Sequence, residues 1–239
     1  MKRIVSFDLD GTIVNGQFGE MVWNHGIPEE FSKKYSIIFE EAKRLIIKEY
    51  KAVGDTNILW YNIEYWLDRF NLPIAADTLL DRYEAYIELL PDVQEVLETL
   101  KGKYTLIIAS NAARIFVEKE LDHMGAAHYF NHIISATTDY KMVKKGEGFY
   151  KKLCNTLNVS PEELIHVGDH PIFDFVAPSS VGIESYLLRS LEQRAGSWET
   201  EGGRRETEGG SLEQGAGSRE LSENNGRVIT SLIELLEKI

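Results

Sequence analysis

Four aspartates, a Ser-Asn pair and a lysine-bearing loop are the parts of this chain that could do chemistry. Asp8 and Asp10 stand one residue apart, directly after the apolar run Ile4-Val5-Ser6-Phe7, and Gly11 follows as a stop signal. Alternate side chains of a strand point the same way, so the two carboxylates would face each other if the strand ran on. Like charges that close need a cation or a shared proton. Asp169 and Asp174 follow another apolar run, Leu164-Ile165-His166-Val167, in the string Gly168-Asp169-His170-Pro171-Ile172-Phe173-Asp174. Ser110-Asn111 closes a third run, Tyr104 to Ala109. A hydroxyl and backbone N–H groups at a strand end can hold phosphoryl oxygens, although Ser and Asn also serve as helix caps. Lys141, Lys144 and Lys145 precede the aromatic Tyr150. In open α/β sheets, ligands bind at the carboxyl ends of the strands, where these residues stand.

The elements that must position them alternate. Strands at residues 4–7, 104–110, 133–135, 164–167 and 185–188 are separated by helical patterns beginning at Pro91, Arg114, Gly148 and Ser160. Such alternation predicts a parallel sheet with helices on both faces, a doubly wound α/β core. Ser160-Pro161-Glu162-Glu163 is a helix-start signature. Between the first two strands, Asn15 to Gly26 reads as a loop. Helical spacing then runs from Pro28 to about Tyr50, from Leu59 to Phe70, and from Leu79 to Leu90. Residues 15–88 are therefore an all-helical cap inserted into a core built from residues 1–14, 89–189 and 226–239. Trp23, His25, Trp60, Tyr61, Trp66 and Arg69 could line such a cap, but aromatics at helical spacing are usually core, and none is assigned.

Residues 190–225 belong to neither part. Seven-residue copies start at Leu191, Trp198, Arg205 and Leu212, each with Glu second and Gly sixth, and a decayed copy starts at Arg219. A glycine in every full copy and little apolar content oppose a coiled coil. A disordered low-complexity expansion is expected, with a partner-binding segment as the alternative. Val228, Leu232, Leu235 and Leu236 then restore a helical stripe that should pack on the core.

The 239 residues allow one large or two small domains, and 43% hydrophobic content suits a real core. A formal net charge of −12 argues against nucleic acid and requires local positive charge at any phosphate site. The single cysteine, Cys154, excludes an internal disulfide and fits a reducing compartment. No charged leader with an apolar run opens the chain, and no stretch reaches the ~18 apolar residues of a membrane span. A cytoplasmic protein with neither membrane nor nucleic-acid partner is the expectation.

Asp8-Leu9-Asp10-Gly11-Thr12 resembles the first motif of the haloacid dehalogenase-like hydrolase superfamily, and the later motifs occur downstream in order. The resemblance implies a Rossmann-like core and makes Asp8 the nucleophile and Asp10 the proton donor and later base. Thr12, Ser110 and Asn111 fall at phosphate-binding positions, and a lysine neutralises the nucleophile and phosphate. The family's Lys-Pro is absent here; counting back from Tyr150 favours Lys144, with Lys145 second. Asp169 would ligate Mg²⁺ with Asp8 and the backbone carbonyl of Asp10, and Asp174 would support the metal or the lysine. Mg²⁺ wants oxygen ligands and keeps waters, so His170 is read as a loop residue. The placement of the cap is similar to that in the phosphatase, phosphoglucomutase and dehalogenase branches. Dehalogenases lack an acid at the position of Asp10, because halide needs no proton.

These roles describe a Mg²⁺-dependent phosphatase that hydrolyses a small phosphorylated metabolite through an aspartyl-phosphate. A phosphomutase, returning the phosphoryl group to a sugar phosphate, is the enzymatic alternative. A phospho-Asp signalling or binding module is the non-enzymatic one.

Overall fold

All four side chains of the first strand, Ile-Val-Ser-Phe at β1 (Ile4–Phe7), are buried, as a central parallel strand covered on both faces requires. In this computed structural model, which describes residues 3–189 and 227–239, β1 sits in the middle of a six-stranded parallel sheet. The other strands are β2 (Thr105–Ser110), β3 (His132–Ser135), β4 (Leu164–Gly168), β5 (Glu184–Leu188) and β6 (Val228–Ile229). The order β3-β2-β1-β4-β5-β6 puts β1 between β2 and β4, with Phe7 opposite both Ile108 and Val167. That register brings the ends of β1, β2 and β4 to one level at the switch point of the sheet.

Five α-helices form an insert between Val14 and Leu89: α1 (Gln17–Met21), α2 (Ile27–Tyr35), α3 (Phe39–Val53), α4 (Ile63–Arg69) and α5 (Ala76–Asp81). The chain entering this insert pairs with the chain leaving it. The N–H of Asn15 donates to the carbonyl of Glu88 at 2.9 Å, and that of Leu90 to Ile13 at 2.9 Å. The insert packs around aromatic rings, with Trp66 against Tyr50 (centroids 4.6 Å) and Phe70 (5.5 Å). The remaining helices flank the sheet: α6 (Val93–Lys101), α7 (Arg114–His123), α8 (Ala136–Asp139), α9 (Glu147–Leu157) and α10 (Ala177–Ser180).

Four expectations change. Asn15–Gly26 is not a loop: α1 continues into a π-helical turn, Val22–Gly26, because Phe18 and Val22, four apart, are both fully buried. The stripe from Pro28 to Tyr50 is two helices, broken where Ser36 takes a left-handed φ of 54° and Ser32 Oγ donates to the carbonyl of Ile37 at 2.6 Å. Ser160–Glu163 does form a capping box, yet it holds only one 3₁₀ turn before Leu164 enters β4. The C-terminal stripe is not one helix: β-branched Val228 and Ile229 add the strand β6 beside β5, and a 3₁₀ stretch, Leu232–Glu237, buries Leu232 and Leu235. The repeats at 190–225 lie outside the described residues. Among the described residues, no helix is long and apolar enough to cross a membrane.

Trp66 is fully buried at the centre of the aromatic packing. Trp66→Ala should therefore cost about 3–5 kcal/mol of stability, read as a lower urea midpoint by circular dichroism.

Candidate active site

The site is assembled from three strand ends tied to one ammonium group. Lys145, 1% exposed, bonds Asp8 Oδ1 after β1, the carbonyl of Ala109 in β2 at 2.9 Å, and Asp174 Oδ1 beyond β4 at 2.6 Å. The N–H of Asp8 donates to the carbonyl of Val167 at 2.8 Å, so the β1–β4 ladder runs up to the acid itself. One carboxylate oxygen from each of Asp8, Asp169 and Asp174 lies within 4.8 Å of the others. Glycines make this approach possible. A Cβ at Gly11, whose φ is +74°, would strike the Asp169 carboxylate, and one at Gly168 would strike Asp174.

Asp174 is held from several sides. Its Oδ1 meets Lys145 and His166 Nε2 (3.0 Å), and its Oδ2 accepts from the N–H of His170 at 3.0 Å. His166 is fully buried in β4 with Nδ1 3.0 Å from Ser6 Oγ. Burial would raise the Asp174 pKa, but the charge of Lys145 and the bond from His166 outweigh it and hold the carboxyl below the usual range. Burial pushes the His166 pKa down, and the ring bridges Asp174 at Nε2 and Ser6 at Nδ1. Burial would lower Lys145, yet the charges of Asp174 and Asp8 hold its ammonium above the ordinary lysine value.

The other acids are not compensated in this way. Burial pushes Asp8 up to about 7 against the pull of Lys145. Asp10 is pushed up to about 6, again by burial first. Burial and the neighbouring charges of Asp8 and Asp174 hold Asp169 well above the usual carboxylate value. Three close acids facing one ammonium leave excess buried negative charge, and all the donors are oxygens. This set fits a hard divalent cation of the Mg²⁺ kind. Among the described residues, buried Thr12 Oγ1 and Asn111 Oδ1 have no hydrogen-bond partner, which suits a site that receives further polar groups. Ser110, at the end of β2, accepts from the N–H of Ala112 at 3.0 Å.

One expected placement needs correction. Lys144 does not reach the carboxylates: its Nζ pairs with Asp55 Oδ2 at 2.9 Å, and Lys145 is the buried lysine. Counting from Tyr150 cannot fix facing in a loop without a repeat, and Lys144 has a left-handed φ of 66° that turns the two lysines apart. The Asp10 side chain is not part of the three-acid group; it meets Glu120, leaving its backbone carbonyl as the expected metal donor. His170 uses Nδ1 to accept from the N–H groups of Ile172 and Phe173 at 3.2 Å, the loop role expected of it.

Glu120 and His166 escaped the sequence reading, although each carried a signal. Glu120 is an acid on the apolar face of α7 shared with Phe116, Val117 and Leu121, and it is 1% exposed. Burial and the charge of Asp10 hold its carboxyl well above the usual value. His166 is a polar residue inside an apolar run. Of the insert's candidates, Trp66 is core, Arg69 pairs with Glu49 at 2.5 Å, and Trp23 stacks on Phe116 of α7 at 5.4 Å.

A carboxyl whose pKa is raised by folding destabilises the native state progressively as pH rises above the ordinary value of 3.8. Asp169→Asn removes that cost. In chelator, the variant should melt several degrees above the parent at pH 8, with the gap closing towards pH 4. Added Mg²⁺ should raise the melting temperature of the parent and leave that of the variant unchanged, as calorimetry can record.

Comparison with known proteins agrees with this geometry. The haloacid dehalogenase-like hydrolase profile matches residues 2–182. Glyceraldehyde 3-phosphate phosphatase of Pyrococcus furiosus is 26% identical over 201 residues, covering 77% of this chain and 79% of its own. The GMP/IMP nucleotidase of Escherichia coli is 25% identical over 167 residues, covering 69% and 73%. The crystal structure of a haloacid dehalogenase-type phosphatase from Thermococcus onnurineus superposes with a TM-score of 0.68 at 26% identity, over 80% of this chain and 87% of that one. This chain belongs to the haloacid dehalogenase-like hydrolase family.

Proposed function

We propose that the protein is a Mg²⁺-dependent phosphatase that hydrolyses a small phosphorylated metabolite through an aspartyl-phosphate on Asp8. The observation that carries this reading is Asp8 held by buried Lys145, with Asp169 beside it and a second acid, Asp10, two residues further along the chain. Two of the relatives named above are phosphatases of small phosphorylated compounds by name. That supports the substrate class without selecting a member of it.

In this mechanism the carboxylate of Asp8 forms a bond to phosphorus as the ester P–O bond breaks. Asp10 gives its proton to the departing alkoxide, so the first product leaves as an alcohol. Asp10 then takes a proton from water as the water oxygen attacks phosphorus, and the acyl-phosphate bond breaks to return Asp8 and inorganic phosphate. Lys145 offsets charge on the phosphoryl oxygens, while Ser110, Thr12 and Asn111 supply donors around them. Asp174 and His166 keep Lys145 charged and in place. A bound Mg²⁺, held by Asp8, Asp169 and the Asp10 carbonyl, would polarise the phosphoryl group and neutralise the acids. An acid at Asp10 favours phosphate over halide as the leaving chemistry, since only an alkoxide needs a proton.

With Mg²⁺ present, the protein should release inorganic phosphate from p-nitrophenyl phosphate and from members of a panel of phosphorylated metabolites. Asp8→Asn should lower kcat by about a thousandfold or more, and Lys145→Met by about a hundredfold. EDTA should silence the enzyme reversibly. Turnover that survives Asp8→Asn would remove the nucleophile assignment.

A further inference from the structure

Lys144 has no part in the chemistry proposed above, yet it occupies a conformation that disfavours any residue with a Cβ. Its φ is +66°, and its carbonyl accepts from the N–H of Gly146 at 3.0 Å, so a tight turn surrounds Lys145. The side chain crosses to the insert and pairs with Asp55 Oδ2 at 2.9 Å. Asp55 lies just beyond α3, and its carbonyl accepts from Tyr61 Oη at 3.2 Å, which ties that segment to the next turn. The same ammonium lies 5.6 Å from the centroid of the Phe173 ring, which stacks on His170 at 4.2 Å. Phe173 adjoins Asp174, its carbonyl accepts from Tyr150 Oη at 2.6 Å, and His170 adjoins Asp169. Neighbouring lysines thus face opposite ways: Lys145 holds Asp8 and Asp174, while Lys144 holds the insert.

We propose that Lys144 is a positioning residue whose ion pair with Asp55 pins the helical insert onto the loop that delivers Lys145 to Asp8. Beside the Lys119 pairs with Asp81 and Glu84 and the contacts of Phe18 and Trp23 on Phe116, this joint couples the insert to the loop presenting the buried lysine. The catalytic consequence rests on the phosphatase reading; the joint itself does not. Both partners are about a third exposed, at 28% and 34% for the side chains, so the pair is screened by salt and its effect is modest.

The test uses Asp55→Asn, Lys144→Met, the double variant and Lys144→Gly in the full-length, Mg²⁺-loaded protein. Hydrogen exchange should quicken about three- to fivefold across residues 141–150 in Asp55→Asn and across residues 54–61 in Lys144→Met. With p-nitrophenyl phosphate, each single variant should raise KM about three- to fivefold while kcat changes less than twofold, and the double variant should be no worse than either. Lys144→Gly separates the joint from a purely structural role. Glycine suits the left-handed backbone, so melting temperature should hold or rise while KM still increases. Unchanged exchange across residues 141–150 in Asp55→Asn, or additive KM effects in the double variant, would overturn the proposal. So would a Lys144→Gly enzyme with parental KM. If the parent protein releases no phosphate, the phosphatase reading falls and the exchange comparison alone decides the joint.

Discussion

Buried charge that the protein does not balance by itself governs this structure. Asp8, Asp169 and Asp174 bring carboxylate oxygens within 4.8 Å of one another, and Lys145 is the ammonium among them. A buried carboxylate without a partner is strongly unfavourable, so such a group either keeps its proton or meets a cation. The sheet is what forces the acids together. Asp8 follows β1, Asp169 follows β4, and those strands are hydrogen-bonded neighbours with Phe7 opposite Val167. Gly11 and Gly168 remove the Cβ atoms that would otherwise keep the acids apart. The arrangement sacrifices stability for an electrostatic field aimed at whatever enters.

The environments then drive chemically identical groups to different states. Asp174, wrapped by Lys145, His166 and the N–H of His170, stays ionised and acts as the anchor. Burial pushes Asp8 up to about 7 against its share of one lysine, and pushes Asp10 up to about 6 although the hydrogen bond with Glu120 pulls the other way. His166 shows how far the support extends. It is buried in the sheet and bridges Ser6 on β1 to Asp174 beyond β4.

Much of this was legible because the informative residues sit where backbone geometry is regular. The apolar runs, with Gly11 after the first and Gly168 after the one at Leu164–Val167, fix where Asp8, Asp10, Ser110 and Asp169 must emerge, and the doubly wound sheet follows from βα alternation. Lys144 and Lys145 were not separable, because their loop has no repeat and a left-handed residue reverses the facing between them. The break at Ser36 was equally hidden, since apolar spacing on either side of it continues at helical intervals. The strand β6 exists only because β5 offers an edge, a tertiary fact that no local pattern carries. Glu120 shows the opposite case: an acid on an apolar helix face is a visible breach of pattern, and its reason became clear only beside Asp10.

The division of labour between sheet and insert follows from the same geometry. Asp8, Asp10, Ser110 and Asp169 stand at or just beyond strand ends, Lys145 in the loop between α8 and α9, and Asp174 in a π-helical turn after β4, and none comes from the insert. The insert enters and leaves through paired backbone at Val14 and Leu89, and it carries its own aromatic packing around Trp66 and Tyr50. Substitutions within it leave the register of β1 and β4 untouched, so the reacting group can stay fixed while the surface that meets the rest of a substrate changes. The two parts are linked by Trp23 and Phe18 on Phe116 of α7, by Lys119 of α7 with Asp81 (2.6 Å) and Glu84 (2.5 Å), and by the Asp55–Lys144 pair. Beneath these contacts one buried apolar cluster runs from the insert into the core, so the insert is seated by apolar burial and the ion pairs trim its position.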